Sequence, residues 1–118
     1  MTTGKPVAVK QLPEILDTEG AQAVLRELAP LFESDHPRLV FDFSGVRQMD
    51  SAGVELLLRC AEEAIKRNGD LKLAAVSPQL NVMLEMTRID RLFEIFENSS
   101  DAVESYHRFV ASAPQPES

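Results

Sequence analysis

Two strand-like runs divide the chain, and each is followed by a helical pattern. Leu39–Phe43 is apolar apart from Asp42, and Leu71–Val76 is a second, largely apolar run. Continuous runs of this kind are typical of strands that are buried on both faces of a sheet. Because helical patterns alternate with these runs, the sequence predicts the α/β class, in which helices cover a sheet.

Shorter signals extend this alternation toward both ends of the chain. Val7–Leu12 is a weak first strand that ends at Pro13, and Phe93–Phe96 reads as a short last strand. Four helical segments follow the strands, and each has a start or stop signal. These signals are Asp17 or Thr18 before the first helix, Asn68-Gly69 after the second, Ser77-Pro78 at the start of the third and Ser99-Ser100-Asp101 at the start of the fourth. The expected order of elements is β-α-β-α-β-α-β-α.

Length and charge limit the class of protein. A chain of 118 residues fits one domain, which we place at residues 6–112 between disordered ends at 1–5 and 113–118. The net charge of −7 argues against a nucleic-acid partner, because nucleic-acid phosphates would repel this surface. Cys60 is the only cysteine, and no signal-like segment or long apolar run precedes the first helix. We therefore expect a soluble, cytoplasmic protein.

One serine, Ser51, lies where a strand region gives way to the second helix. A hydroxyl at a helix N-terminus faces free N–H groups and the positive end of the helix dipole, a setting that tolerates an added phosphate. The same serine could serve only as the N-cap of the helix. Asp50 could also cap this helix, or hold the turn through an Asx-type hydrogen bond. The residues by themselves allow both roles for each side chain.

Enzyme motifs are weak in this chain. Asp50–Gly53 reads Asp-Ser-Ala-Gly, which is not the Gly-x-Ser-x-Gly nucleophile elbow of hydrolases. Only His107 follows it as a candidate base, and no glycine-rich phosphate loop occurs. Neither His36 nor His107 belongs to a metal-ligand pattern. We therefore expect no catalytic activity, no metal and no cofactor, unless His107 lies within hydrogen-bonding reach of Ser51.

Two neighbouring motifs resemble a known family. Phe41–Val46 reads Phe-Asp-Phe-Ser-Gly-Val and Met49–Val54 reads Met-Asp-Ser-Ala-Gly-Val, which is similar to the signature of STAS domains, above all bacterial anti-sigma factor antagonists. The similarity continues through Asn68-Gly69, Ser77-Pro78 and Thr87–Phe93, and so covers most of the chain. It implies a single STAS-like α/β domain, with a mixed sheet of four to five strands and about four helices packed mainly on one face.

The resemblance also implies a regulatory switch. In the family, a serine at the position of Ser51 is phosphorylated by an anti-sigma factor that is itself a kinase with a histidine-kinase-like ATPase fold. A PP2C-type phosphatase removes the phosphate, and ATP would belong to the kinase. The unphosphorylated protein would bind the anti-sigma factor and free a sigma factor. The expected partner-binding residues are Asp17, Asp50, Ser51, Ala52, Gly53 and Arg88.

Three of these residues stand at characteristic family positions. Asp17 corresponds to the acidic residue of a Glu-Leu-Asp-like motif. Ala52 stands where a second serine is frequent, which leaves Ser51 as the only hydroxyl in the turn. Arg88 takes the glycine position of the usual Thr-Gly-Leu turn, so either the turn is rearranged or Arg88 contacts a partner.

An alternative function lies within the same family. STAS domains also serve as accessory subunits of an ABC transporter for phospholipids, where they bind and regulate the ATPase. Such subunits are similar in size and lack membrane spans, so direct membrane insertion is not expected. Ser51 and the run Phe41–Val46 resemble the antagonists more closely. The sequence therefore favours an antagonist and keeps the transporter subunit as the alternative.

Overall fold

The structure is a sheet with helices on both of its faces. The computed structural model describes residues 6–112, with side chains up to His107, and the predicted disordered ends at 1–5 and 113–118 lie outside the described residues. The strands are β1 (Ala8–Gln11), β2 (Ile15–Leu16), β3 (Arg38–Asp42), β4 (Gln48–Met49), β5 (Asp70–Ala74) and β6 (Ile95–Phe96). The helices are α1 (Thr18–Leu28), α2 (Ser51–Lys66), α3 (Pro78–Met86) and α4 (Ser99–Ser112), with short 3₁₀ turns at Leu31–Glu33 and Ile89–Leu92.

All strand pairing among the described residues is parallel. The main sheet has the order β1-β3-β5-β6, and a small second sheet pairs β2 with β4. At its centre, Val40 of β3 lies between Val9 of β1 and Lys72 of β5. The chain crosses from each strand of the main sheet to the next through α1, α2 or α3, as parallel pairing requires. The α/β class is confirmed, and the expected mixed sheet is corrected to a parallel one.

The central strands separate two cores. Leu39 and Phe41 of β3 face the larger core, which also contains the buried sides of α1, α2 and α3. Val40 faces the other side, where it packs with Ala102 and Tyr106 of α4. Three helices thus lie on one face of the sheet and α4 lies on the other. Burial from both sides explains why β3 reads as a continuous apolar run.

Two short strands are missing from the order predicted by the sequence. β2 and β4 contain two residues each, which is too short to show a strand period. They nevertheless pair with each other, Ile15 with Gln48 and Leu16 with Met49. Their pairing joins the segment before α1 to the segment before α2.

Arg88 has a left-handed backbone. Its φ of 64° and ψ of 13° lie in the region that glycine adopts most easily. The preceding Thr87 closes α3, since its Oγ1 donates a hydrogen bond to the Met83 carbonyl at 2.9 Å. The turn therefore keeps the backbone geometry of a glycine turn instead of being rearranged.

We predict that Arg88→Gly stabilises the protein. A residue with a Cβ in the left-handed region costs about 1–2 kcal/mol, and the substitution removes this cost. Glycine has more freedom in the unfolded chain, which offsets about 0.5–1 kcal/mol of the stabilisation. We expect the free energy of unfolding in urea to rise by about 0.5–1 kcal/mol. Arg91→Gly is the matched control, because Arg91 is exposed in the adjacent 3₁₀ turn and has no positive φ. Equal destabilisation by both substitutions would contradict the strain at Arg88.

Candidate functional site

Three helices begin side by side at the carboxyl end of the sheet, and each begins with a side-chain cap. Asp17 accepts a hydrogen bond from the Gly20 N–H at 2.9 Å at the start of α1. Asp50 accepts one from the Ala52 N–H at 2.8 Å at the start of α2. Ser77 caps α3 in the same way. The positive ends of three helix dipoles therefore point toward one surface.

The pairing of β2 with β4 fixes the first two caps beside each other. Leu16 pairs with Met49, and Asp17 and Asp50 follow these two residues directly in the chain. The Asp50 N–H also donates to the Leu16 carbonyl at 3.4 Å. Two carboxylates are thus placed next to each other at the amino ends of α1 and α2.

A shallow cavity of about 500 Å³ lies between these helix starts. Asp17 and Asp50 line it, together with Arg47, Gln48 and Gln79 of α3. Arg47 and Gln48 both donate backbone hydrogen bonds to the Glu14 carbonyl, which holds the loop before β4 against the loop before β2. Sequence reasoning did not single out Arg47, Gln48 or Gln79. Only the position of the first two, just before Met49-Asp50, could have suggested them.

Ser51 is the first residue of α2 and is exposed. The N-cap of α2 is Asp50, and Ser51 therefore does not have the capping role that was one of its two possible roles from the sequence. Within residues 6–112, the Ser51 hydroxyl makes no hydrogen bond. A free hydroxyl at a helix N-terminus is open to a modifying enzyme, and the helix dipole would partly offset the charge of a phosphate there.

Gly53 permits the close approach of α2 to the small sheet. A Cβ on Gly53 would lie 2.4 Å from Cγ of Met49 and 3.0 Å from the carbonyl oxygen of Leu16. Ala52, the neighbouring small residue, is half-buried. The absence of a side chain at Gly53 therefore lets α2 lie close to β2 and β4.

The structure brings together five of the six residues predicted to form the partner-binding site. We call Asp17, Asp50, Ser51 and Ala52, with the buried Gly53 beneath them, the Ser51 surface. Arg88 lies elsewhere, because it comes two residues after the end of α3, whereas the first turn of α3 borders the Ser51 surface. A helix of nine residues spans about 13 Å. Arg88 is therefore separated from Ser51 by about the length of α3.

Asp42 joins the same end of the sheet to α4. Its carboxylate accepts hydrogen bonds from the Ser44 N–H and from the Ser99 hydroxyl, both at 2.8 Å. Burial alone would raise the pKa of Asp42, but the hydrogen bonds from Ser44 and Ser99 outweigh it, and the pKa is lowered. Asp42 therefore remains an ionised link between the end of β3 and the start of α4.

His107 does not lie near Ser51. It follows Tyr106, whose hydroxyl oxygen is 2.9 Å from the carbonyl oxygens of Leu39 and Asp70 at the amino ends of β3 and β5. Ser51 lies at the opposite, carboxyl end of the sheet. His107 is therefore not placed to act as a base for Ser51.

A model of the STAS domain matches residues 3–102. The chain therefore belongs to the STAS domain family. No curated protein sequence matches it significantly. No helix of the described residues has both the length and the apolar character needed to cross a membrane.

Solved structures share the fold at low sequence identity. A protein from Thermotoga maritima that is assigned as an anti-sigma factor antagonist superposes with a TM-score of 0.76 at 19% identity, covering 85% of this chain and 88% of its own. An anti-sigma-factor antagonist (STAS) domain protein from Planctomyces limnophilus has a TM-score of 0.70 at 22% identity, covering 78% and 80%. The STAS domain of a SulP transporter from Vibrio cholerae has a TM-score of 0.74 at 15% identity, covering 94% and 88%.

We predict that the cap at Asp50 depends on a hydrogen-bond acceptor. Asp50→Ala should lower the free energy of unfolding by about 1 kcal/mol, because the Ala52 N–H loses its partner. Asp50→Asn keeps an acceptor oxygen and should cost less than about half as much. Urea unfolding of both variants measures this difference. Equal losses would mean that charge, and not the hydrogen bond, stabilises the start of α2.

We also predict that Gly53 cannot become alanine without cost. Glycine to alanine normally stabilises a helix by about 1 kcal/mol, but here the added Cβ collides with Met49 and the Leu16 carbonyl. Gly53→Ala should therefore destabilise the protein by about 1–3 kcal/mol. Gly45→Ala is the control, because a Cβ added at Gly45 would meet no atom within 4 Å. If Gly53→Ala melted at a higher temperature than Gly45→Ala, the close approach of α2 to the small sheet would be refuted.

Proposed function

We propose that this protein is an anti-sigma factor antagonist that is switched by phosphorylation of Ser51. In its unphosphorylated form it binds an anti-sigma factor, a serine kinase with a histidine-kinase-like ATPase fold, and so releases a sigma factor. Phosphorylated at Ser51, it no longer binds, and a PP2C-type phosphatase restores it. The protein acts in the cytoplasm and needs no cofactor of its own.

One observation carries this proposal. In a STAS domain, the exposed and unbonded hydroxyl of Ser51 lies at the start of α2, next to the capping carboxylate of Asp50 and beside that of Asp17. Two proteins that are assigned as antagonists support it through a shared fold, at 19% and 22% identity.

The Ser51 surface has the properties of a switch that changes binding and leaves the fold intact. A phosphate adds about −1.5 to −2 charges, and the N-terminus of α2 stabilises them within the domain. At a docked interface the same group brings bulk, desolvation and repulsion from any facing carboxylate of the partner. A loss of about 3 kcal/mol weakens binding by more than about a hundredfold.

The first test is the intact mass of the protein recovered from its own cells. We expect a species heavier by one phosphate in the wild type that is absent from Ser51→Ala. Ser100→Ala is the matched control, because Ser100 is also an exposed serine in the first turn of a helix, on the other face of the sheet. The control should retain the heavier species. Phosphate that persists in Ser51→Ala would show that another residue is the acceptor.

The second test concerns the partner. Unphosphorylated protein should capture a histidine-kinase-like ATPase, and phosphorylation should weaken that complex by about a hundredfold or more in titration. Thermal unfolding should change little between the two forms, because the phosphate faces solvent. Unchanged affinity for the ATPase after complete phosphorylation of Ser51 would refute the proposed switch.

A second candidate is an accessory role in a transporter. The observation that supports a transport role is the fold likeness to the STAS domain of a SulP transporter, a different transporter class, which extends over 94% of this chain. For a subunit of a phospholipid ABC transporter, the captured partner would be a P-loop ATPase, and Ser51 would carry no phosphate under any growth condition. The two tests above therefore separate the candidates.

A further inference from the structure

A second group of cavities lies at the amino end of the sheet, away from the Ser51 surface. Two cavities of about 450 Å³ each adjoin there, and His36 and Arg38 line both of them. Tyr106 marks this end through its contacts with the Leu39 and Asp70 carbonyls. Neither cavity shares a lining residue with the cavity beside Ser51. A ligand held here would therefore not contact the residues that line the cavity beside Ser51.

The first cavity, which we call the apolar lobe, is lined mainly by hydrocarbon. Its walls include Val7, Ala8, Leu31, Pro37 and Leu39. Arg38 lies at the side where it meets the second cavity. An apolar cavity of this size is in the range that holds small organic ligands, and an alkyl chain would be stabilised there by removal from water.

The second cavity, which we call the polar lobe, contains a buried lysine whose interactions are internal. Lys72 is 6% exposed and donates to the Ser105 hydroxyl at 2.8 Å. Its ammonium also pairs with Glu94 at 3.0 Å and lies 4.2 Å from the centre of the Tyr106 ring. Lys72 is thus part of the wall, and its charge is already compensated.

Arg38 and Asp70 differ from Lys72 because neither of them forms a direct ion pair, although the Lys72 charge acts on Asp70 from a greater distance. They face each other in the register of β3 and β5, yet no ion pair joins them, nor either of them to another described side chain. The Arg38 guanidinium lies 5.9 Å from the Tyr106 ring, and one Asp70 oxygen accepts from the Leu71 N–H at 2.8 Å. The lobe therefore offers an arginine and a carboxylate to a ligand.

These groups follow one another in a fixed order. Alkyl-lined space comes first, Arg38 lies where the two lobes meet, and Asp70 and Glu94 line the polar lobe beyond it. Arginine binds phosphate through paired, charge-assisted hydrogen bonds, and carboxylates bind ammonium groups. We propose that this end of the domain binds a single-chain zwitterionic amphiphile, with its alkyl chain in the apolar lobe, its phosphate on Arg38 and its amine on Asp70.

The test uses lysophosphatidylethanolamine with a twelve-carbon chain, below its micelle concentration, and the full chain in calorimetric titration. The wild type should bind one molecule saturably. Arg38→Gln should weaken binding by at least about tenfold, because the phosphate loses its charged donor. Arg59→Gln is the matched control, since Arg59 is exposed on α2 and lines neither lobe. It should bind as the wild type does.

Two further measurements separate the parts of the ligand. Lysophosphatidic acid of the same chain length lacks the amine, so Asp70→Asn should weaken binding of the ethanolamine lipid without weakening that of the acid. Ala8→Leu adds bulk to the apolar lobe and leaves every charge in place, so it should reduce the affinity for both lipids. Thermal melts of each variant confirm that the fold is retained.

Several results would overturn the proposal. Wild-type protein that does not saturate, or equal weakening by Arg38→Gln and Arg59→Gln, would show that no site exists at this end. Weakening of both lipids alike by Asp70→Asn would refute the amine contact. Unchanged binding in Ala8→Leu would show that the chain does not enter the apolar lobe.

Discussion

The parallel pairing of β3 with β5, buried on both faces, is the interaction on which the rest of the molecule depends. Leu39 and Leu73 face the core beneath α1, α2 and α3, while Val40 and Ala74 face α4. Parallel neighbours force the chain to return through a helix after each strand. As a result, α1, α2 and α3 all begin at the carboxyl end of the sheet, which is where Ser51 lies.

The small β2–β4 sheet converts that general arrangement into a specific surface. Two residue pairs are enough to bring Asp17 and Asp50 into line, and Gly53 lets α2 rest on the same two strands. Asp17 and Asp50 make the capping hydrogen bonds of α1 and α2, so the Ser51 hydroxyl is not used as a cap. A side chain that stabilises a helix and one that is available for modification are therefore adjacent residues, which explains how charge could be added at Ser51 without unfolding α2.

The two ends of the sheet have different chemistry. The carboxyl end presents helix N-termini, two carboxylates and a serine, which suits a reversible change of charge. The amino end presents Arg38, Asp70 and an apolar recess, which suits a small ligand. Lys72 and Tyr106 join the sheet to α4, since Lys72 donates to the Ser105 hydroxyl and the Tyr106 hydroxyl contacts the Leu39 carbonyl. The proposed partner surface and the proposed ligand site therefore share no lining residue.

The α/β class, the main strands, a cap of α1 at Asp17 or Thr18 and the position of Ser51 at the start of α2 followed from the sequence alone, because apolar runs, capping residues and turn residues are local signals. Other features were decided only by tertiary structure. Strand direction and the pairing of the two-residue strands β2 and β4 depend on residues far apart in the chain. The same is true of the cavities at the two ends of the sheet, which are lined by Arg47 and Gln79 at one end and by Arg38 at the other. Arg88 shows the same limit: the sequence left open whether its turn is rearranged, and its distance from Ser51 is set by the direction in which α3 runs, which no local pattern records.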